Sequence, residues 1–381
     1  MTFRQKLQRN KILKALASLK LTVLCLSLLF ILTLWGTVGQ VQNGLYLAQE
    51  RFFHSFFFLA MGFLPFPGAQ LVMWVLFVNL TAVALVRYAY TWNRIGILII
   101  HGGLMLFLVS GYVTLHGAVE SHLALGEGNA ANYSTAFHSW DVAVWKDQET
   151  PATGKFVTDV TSVDIMAFKH DRPVVFEDQG ITLRLLEYYR NCGAYTGGQT
   201  DITYRNASGI QRLEPRGLEK EPGENTPGAI FQAETTTGES FKLLLYGSDT
   251  APTPIETKDG RYNLSLRLKH YPLPFTLKLV DFIMERHPGT DTARAYKSRV
   301  AIETNGAWRE KVISMNNPLR YKNFTFYQSS YSIDKFNNET SILAVVHNAG
   351  QVLPYLATFI TFAGLVIHFC MMASRSRKKH A

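Results

Sequence analysis

Apolar and polar positions divide this chain into two kinds of pattern. Residues 21–38, 69–86, 95–115 and 352–373 form four stretches, each 18 to 22 residues long, apolar and free of Asp, Glu, Lys and Arg. A helix of that length spans the hydrocarbon core of a bilayer. Elsewhere apolar and polar residues trade places at period two, in 182–188 (TLRLLEY), 264–268 (LSLRL) and 324–328 (FTFYQ), the signature of half-buried β-strands. The expected fold is a membrane α-helical protein of four transmembrane helices, with a β-rich extracytoplasmic domain between the third and fourth. A sandwich or barrel-like arrangement is the expectation for that domain, and no internal repeat is visible.

The connectors carry their own signals. Residues 40–68 are rich in aromatics, with Gln49, Glu50, Arg51 and His54 near one end. This suits a helix lying at the outer interface and stopped by Pro65 and Pro67, or alternatively a packed connector. Residues 214–228 (EPRGLEKEPGENTPG) read as a charged, Pro- and Gly-rich surface loop. The first apolar run follows a basic N-terminus but is too long for a signal-peptide core and has no small-residue cleavage site after it, so it reads as a retained anchor.

Charge orients these elements. Lys and Arg number six in residues 1–20, two in 87–94 and four in 374–381, with no acidic residue in any of the three; the remainder holds 26 basic against 29 acidic residues. The whole net charge of +9 therefore lies in three short segments. With four crossings these must share one side, and the positive-inside rule makes that side the cytoplasm. The expectation is a multi-pass protein of a bacterial cytoplasmic (inner) membrane, N-in and C-in, with residues 116–351 periplasmic. Because the charge is explained by topology, it gives no support to a nucleic-acid partner.

Cys25 and Cys370 fall inside predicted spans and only Cys192 in the outer domain. That domain cannot close an internal disulfide, and no Cys-x-x-Cys or Cys-x-x-Cys-His motif is present, which excludes a thiol oxidoreductase and a c-type cytochrome. No Ser-His-Asp, paired-carboxylate, P-loop or zinc-spacing pattern stands out, so no catalytic residue is assigned.

Histidines inside spans are the most informative chemistry. His101 lies seven residues beyond Arg94 and His368 seven residues before Arg375. Each is then ~10 Å inward from a cytoplasmic boundary charge at 1.5 Å per residue, which predicts the two at similar depth. Ionisable groups in spans are costly and usually functional, and neutral imidazole is a good ligand for haem iron. Gly102 and Gly103 would allow a helix or a flat macrocycle to approach. The competing reading is a histidine hydrogen-bonded between helices, with glycines that serve packing. Arg87, Arg94, Lys20 and Arg375 are candidate partners for haem propionates, against a role in topology alone. His116 and His122 are weaker candidates for outer haem or metal ligands. Phe324, Phe326, Tyr327 and Tyr331 suggest either a surface for strand addition by an extended polypeptide or an ordinary β-core.

Together, WGTVGQVQNGLYLAQERFFHSFFF, GILIIHGGLMLFLVSG, LGEG, PLPFTLKLVDF, MNNPLRYKNFTFYQSSY and GLVIHF resemble the ResB/CcsB family of cytochrome c biogenesis proteins, over nearly the whole chain. The resemblance implies a System II cytochrome c synthase: a CcsA-type partner, haem b as transported cargo, apocytochrome c as acceptor, and a thiol-reducing thioredoxin-like protein in the same pathway. It places the inner-haem role of the family's third-span histidine on His101; a ligand role for His368 rests on depth alone. The partner's tryptophan-rich WWD segment has no match here, which implies the accessory half of the synthase. Two other functions compete: a membrane cytochrome b-like redox subunit, and a haem-free membrane-anchored binding or sensor protein.

Overall fold

The computed structural model describes residues 9–88, 90–147, 160–197, 203–290, 293–304, 306–336 and 338–380, the last five without their side chains. The basic residues at 1–8 and the end of the basic tail therefore lie outside the described side chains. The chain divides into two compact units, Met1–Ala118 with Asn348–Ala381, and Val119–His347.

Among the described residues the first unit contains four long helices: α1 (Leu19–Asn43), α2 (Ala69–Val86), α3 (Ile95–Gly117) and α4 (Leu353–His380). All four are long and apolar enough to cross a membrane. They follow the four apolar runs, but α1 continues well past residue 38, through polar helix-compatible residues, until Gly44 breaks it at φ 80°. Gly36, near the end of the apolar run, and Gly39, on this extension, lie where a Cβ would meet Phe53 and Phe52.

The connector after α1 departs from the interfacial-helix expectation. It is helical only over Leu45–Ala48 and a π-turn at Gln49–Phe53. It then forms an antiparallel hairpin, β1 (Phe57–Ala60) with β2 (Leu64–Pro67). Pro65 and Pro67 thus lie in a short edge strand, where proline's missing N–H is tolerated. The hairpin is fixed by an aromatic cluster: Trp35 lies 5.6 to 5.7 Å from Phe52, Phe58 and Phe66, ring centre to ring centre. The short loop Met61–Phe63 accepts positive φ at Met61 and Gly62.

One buried polar side chain ties the start of this bundle together. Asn79, fully buried in α2, donates to the carbonyls of Leu16 and Ser18 at 2.5 and 3.1 Å and accepts from Thr22 Oγ1 at 2.7 Å. Those partners sit at the break between the short helix Lys11–Leu16 and α1, where backbone carbonyls would otherwise face apolar surroundings. Asn79→Leu is expected to lower stability by about 1–3 kcal/mol, since three bonds of ~0.6–1.7 kcal/mol are lost in part to alternative partners. An unchanged thermal midpoint in detergent would contradict this role.

α3 and α4 meet at backbone contact. A Cβ on Gly96 would lie 2.7 Å from the His368 backbone, one on Gly103 2.8 Å from Thr361 N, and one on Gly364 2.7 Å from Ile100 N. Ala357 is fully buried in the same seam. On α4 the positions 357, 361, 364 and 368 form one face by their 3- and 4-residue steps. Without a hydrophobic drive between helices in lipid, close packing of small residues is the principal source of association. Arg375 adds a tie, donating to the Asn93 carbonyl at 2.7 Å.

The second unit is built from strands: β3 (Ala118–Gly126), β4 (Ala130–Lys146), β5 (Val160–Asp164), β6 (Val174–Phe176), β7 (Ile181–Tyr189), β8 (Cys192–Tyr195), β9 (Arg212–Pro215), β10 (Gly228–Thr235), β11 (Ser240–Tyr246), β12 (Thr253–Thr257), β13 (Gly260–Arg286), β14 (Ala293–Thr304), β15 (Ala307–Ser314), β16 (Leu319–Tyr321), β17 (Phe324–Ile333) and β18 (Glu339–Asn348). A ten-stranded sheet has the path β15-β14-β13-β4-β3-β18-β17-β16, with β12 and β5 paired to its sides. A four-stranded sheet has the order β11-β10-β7-β6.

Two cores result. Inward positions of β4, β12 and β13 meet those of β7, β10 and β11, among them Val142, Leu264, Leu183 and Phe231, so one end is a sandwich. At the other end the large sheet curls onto itself around Leu277, Leu279, Val300, Phe326, Leu343 and Val345. The long strands β4 and β13 serve both cores. Their pairing shifts register between Leu268 and His270 and again between Pro272 and Leu277, which lets one strand turn between two packing surfaces.

Candidate functional site

His101 is held from its own helix. Its Nδ1 lies 2.8 Å from the Ile97 carbonyl oxygen, one turn earlier. A carbonyl can only accept, so Nδ1 carries the proton and donates, leaving Nε2 with its lone pair. A carbonyl behind the ring in this way is a usual support of a metal-ligating histidine. The ring is half-buried and packs edge-on to Tyr88 with centroids 5.0 Å apart.

The two span histidines do not meet at one level. His368 has its backbone against Gly96, whereas His101 is five residues further along α3, ~7.5 Å at 1.5 Å per residue. Counting 100° per residue, His101 also points ~130° around α3 from the Gly96, Ile100 and Gly103 seam. The similar depth expected from sequence counted from boundary charges; the helices instead register on their glycines. The glycines beside His101 also divide: Gly103 is covered by Thr361, whereas a Cβ on Gly102 would meet nothing within 4 Å. α4 thus closes the face of α3 that carries Gly103, roughly opposite His101, whereas the face at Gly102, ~100° round from the histidine, is open.

Among the cationic candidates, Arg94 caps the start of α3, Arg87 follows the end of α2, and Lys20 lies in the first turn of α1; all three are exposed. Arg375 is engaged with Asn93. Cys25 is buried in the apolar cluster that α1 forms with α2 and the connector after α1, a packing role. At the far end of α3, exposed His116 packs on Tyr112 with ring centroids 4.5 Å apart.

In the β-rich unit, His122 lies on β3, 5.2 Å from the Phe137 ring, with its Nδ1 buried and without a hydrogen-bond partner among the described residues. Around it the β4–β13 register shift gathers groups that the alternating pattern did not single out: Asp141, 2% exposed, Arg267, and His270 stacked on Tyr133 at 4.3 Å. Burial pushes the His270 imidazole down to about 3, with the Arg267 and His122 charges acting in the same direction. Burial also lowers His122 and raises the Asp141 carboxyl. No group of three or more His, Cys, Asp or Glu side chains among the described residues is arranged to hold a metal ion.

This cluster makes stability pH-dependent. Below the ordinary imidazole value of ~6.5 the unfolded chain takes up a proton that folded His270 refuses until about pH 3. Stability contributed by neutral His270 is thus complete above ~6.5 and lost as pH falls, by roughly 1.4 kcal/mol per unit. Asp141 works oppositely, because its raised folded value stabilises at low pH and that gain is lost as pH rises through it. The expected result is a fall in unfolding free energy from pH 6.5 to 5 that His270→Asn flattens; identical slopes in the two proteins would refute it.

The long motif MNNPLRYKNFTFYQSSY is structural. Lys322 and Asn323 both have positive φ and close the β16–β17 hairpin, the backbone of a tight primed turn. Phe326 is fully buried, Phe324 packs on Phe275 and His347, and Tyr331 packs on Phe282 and Tyr296. Of the four aromatics proposed as a strand-addition surface, only Tyr327 is well exposed, at 40%. β17 is also paired on both sides along Phe324–Phe326, so that stretch is core rather than a free edge. Gln328, Ser298 and Ser341 form a buried hydrogen-bonded triad, with contacts of 2.6, 2.7 and 3.0 Å, that locks β14, β17 and β18.

Residues 243–350 match the ResB-like family. The chain is 32% identical over 121 residues to protein NrfI of Wolinella succinogenes, a stretch that is 31% of this chain and 13% of that protein. It is 48% identical over 59 residues to the cytochrome c biogenesis protein CcsB of Prochlorococcus marinus strain NATL1A, 15% of this chain and 14% of the relative. A second strain, NATL2A, gives the same values. The matched stretches thus span about one seventh of each relative's length. Over residues 243–350, which run from within β11 through β18 and hold the whole Gln328 triad, the chain carries the sequence of the ResB-like family that it resembles.

Proposed function

We propose that this protein is the ResB/CcsB-type component of a System II cytochrome c synthase. With a CcsA-type partner it binds haem b on the cytoplasmic side of the bacterial inner membrane and passes it across. It then helps present the haem for covalent attachment to apocytochrome c. The observation that carries this reading is the match of residues 243–350 and of the cytochrome c biogenesis protein CcsB to this chain. The bundle supports it: His101 offers an oriented Nε2 with an open flank at Gly102, where an iron and a macrocycle edge have access.

The chemistry asks for positioning. A thioether forms when a cysteine S–H adds across a haem vinyl, with no net electron transfer, so the need is for ferrous haem and reduced thiols in register. This chain's part is to hold haem through His101, with Arg87 and Arg94 as propionate partners, and to brace the partner or apocytochrome with the β-rich unit on the periplasmic side. A cytochrome b-like subunit would use a clear histidine pair, and His101 and His368 point to different levels and faces.

The test is genetic. Deleting the gene is expected to abolish haem attachment to at least one c-type cytochrome, read by haem staining of membrane fractions, with restoration by the wild-type chain. Normal maturation of every c-type cytochrome in the deletion strain would remove this function.

A further inference from the structure

The proposed function leaves one large cavity unused. It lies within the helical unit, ~15 Å along α3 from His101 at 1.5 Å per residue, and has a volume of about 570 Å³. Its walls come from α1, the π-turn, α2 and the last turns of α3. They are almost wholly apolar, with Trp74, Phe77 and Tyr112 as aromatic faces and Gln70 and His54 as the main polar groups. Trp74 packs edge-on to both Phe77 and Tyr112, at 6.0 and 5.2 Å.

His54 and Glu50 are exposed at the mouth of this space, with side chains 36% and 49% accessible, and His54 is distinguished by its geometry. It ends the π-turn, its N–H donating to the Gln49 carbonyl at 2.9 Å, and π-turns recur at functional sites. Its Nδ1 is 2.7 Å from Glu50 Oε1. An ionised carboxylate only accepts, so Nδ1 donates, and in the neutral ring Nε2 is the nitrogen with a lone pair. A carboxylate behind an imidazole is the usual support of a metal-ligating histidine, fixing tautomer and ring and raising basicity. On the facing wall a Cβ at Gly111 would meet nothing within 4 Å, so the wall is flat where a planar ligand would lie. An acyl chain would fill such a space but has no use for an oriented imidazole.

We propose that this cavity is a second haem station, at the opposite end of the bundle from His101, with His54 Nε2 as axial ligand to the iron and Glu50 as its positioning residue. The inference rests on the reading that haem is this protein's substrate. It gives the route two fixed points in one chain, an inner one at His101 and an outer one at His54.

The test is a haemin titration of the full chain, purified in detergent without its partner and followed by the Soret band. Wild type is expected to take up two equivalents, one lost in His101→Ala and the other lost in His54→Gln. Gly111→Phe, which fills the cavity from its open wall and suits the helix better than glycine, should lose the same equivalent as His54→Gln. Glu50→Gln should weaken it about tenfold or more. One His101-dependent equivalent that His54→Gln and Gly111→Phe leave intact would overturn the second station while the proposed function stands. Uptake of no haem would count against both. Loss in His54→Gln but not in Gly111→Phe would make His54 a surface ligand and overturn the cavity assignment, as would a co-purified quinone or phospholipid displaced by Gly111→Phe in a chain without a second haem.

Discussion

Gly364→Leu is expected to separate α3 from α4 and to destabilise the helical unit by at least about 2 kcal/mol. A Cβ at this position would lie 2.7 Å from Ile100 N and 3.0 Å from the Gly96 carbonyl oxygen. Both are backbone atoms of a hydrogen-bonded helix, so neither can move aside as a side-chain tip could. Overpacking a core costs ~1–3 kcal/mol even where side chains can adjust, and in lipid no hydrophobic gain offsets the lost contact. Gly102→Leu is the control. It changes the same residue type on α3, beside Gly103, but meets no atom within 4 Å and should leave stability within ~0.5 kcal/mol. Detergent-denaturation midpoints of the two variants check this; similar losses, or none in Gly364→Leu, would contradict the seam.

On the proposed function the seam also bears on haem binding, because α4 holds the Gly96–Gly103 face of α3 and leaves the face at Gly102 open beside His101. A variant that loosens the seam should lower haem affinity without touching a ligand. His101 and Gly364 are then expected to be energetically coupled, whereas Asn79, at the α1–α2 contact, is not.

Much of this was legible in the order of residues. Four uninterrupted apolar runs admit little besides membrane helices, and the period-two segments 182–188, 264–268 and 324–328 all fall within strands β7, β13 and β17. The imidazole inside the third apolar run stood out because so few ionisable groups occur there. What was not legible depended on partners distant in sequence. The hairpin at Phe57–Pro67 is apolar on nearly every residue, so neither period was visible, and its form is set by Trp35 on another element. The depth of His368 depends on which glycines face each other, and no count from a terminal arginine contains that.

The buried cluster of Asp141, Arg267 and His270 was hidden for a related reason. Alternation along 264–268 assigns Arg267 to the outward face, but the β4–β13 register shift turns that face inward. His54 looked like one polar residue among several near an interface. Only the contact with Glu50 and the cavity beside it distinguish it. The aromatics of FTFYQSSY admitted both a recognition surface and an ordinary β-core, because density marks either, and burial of Phe326 with the packing of Phe324 and Tyr331 favours the core.

The central claim is that this chain holds haem through His101, and the most direct measurement is the visible spectrum of the protein purified with its CcsA-type partner, wild type beside His101→Ala. Nδ1 of His101 is committed to Ile97, so the ligand role falls on Nε2, and truncation to alanine removes the iron's protein bond without adding bulk to α3. His368→Ala, whose side chain belongs to another level of the bundle, serves as the comparison. The account predicts a haem-bearing wild-type complex, a large loss of haem per complex in His101→Ala, and near wild-type content in His368→Ala. Unchanged haem content in His101→Ala, with the complex intact, would contradict it.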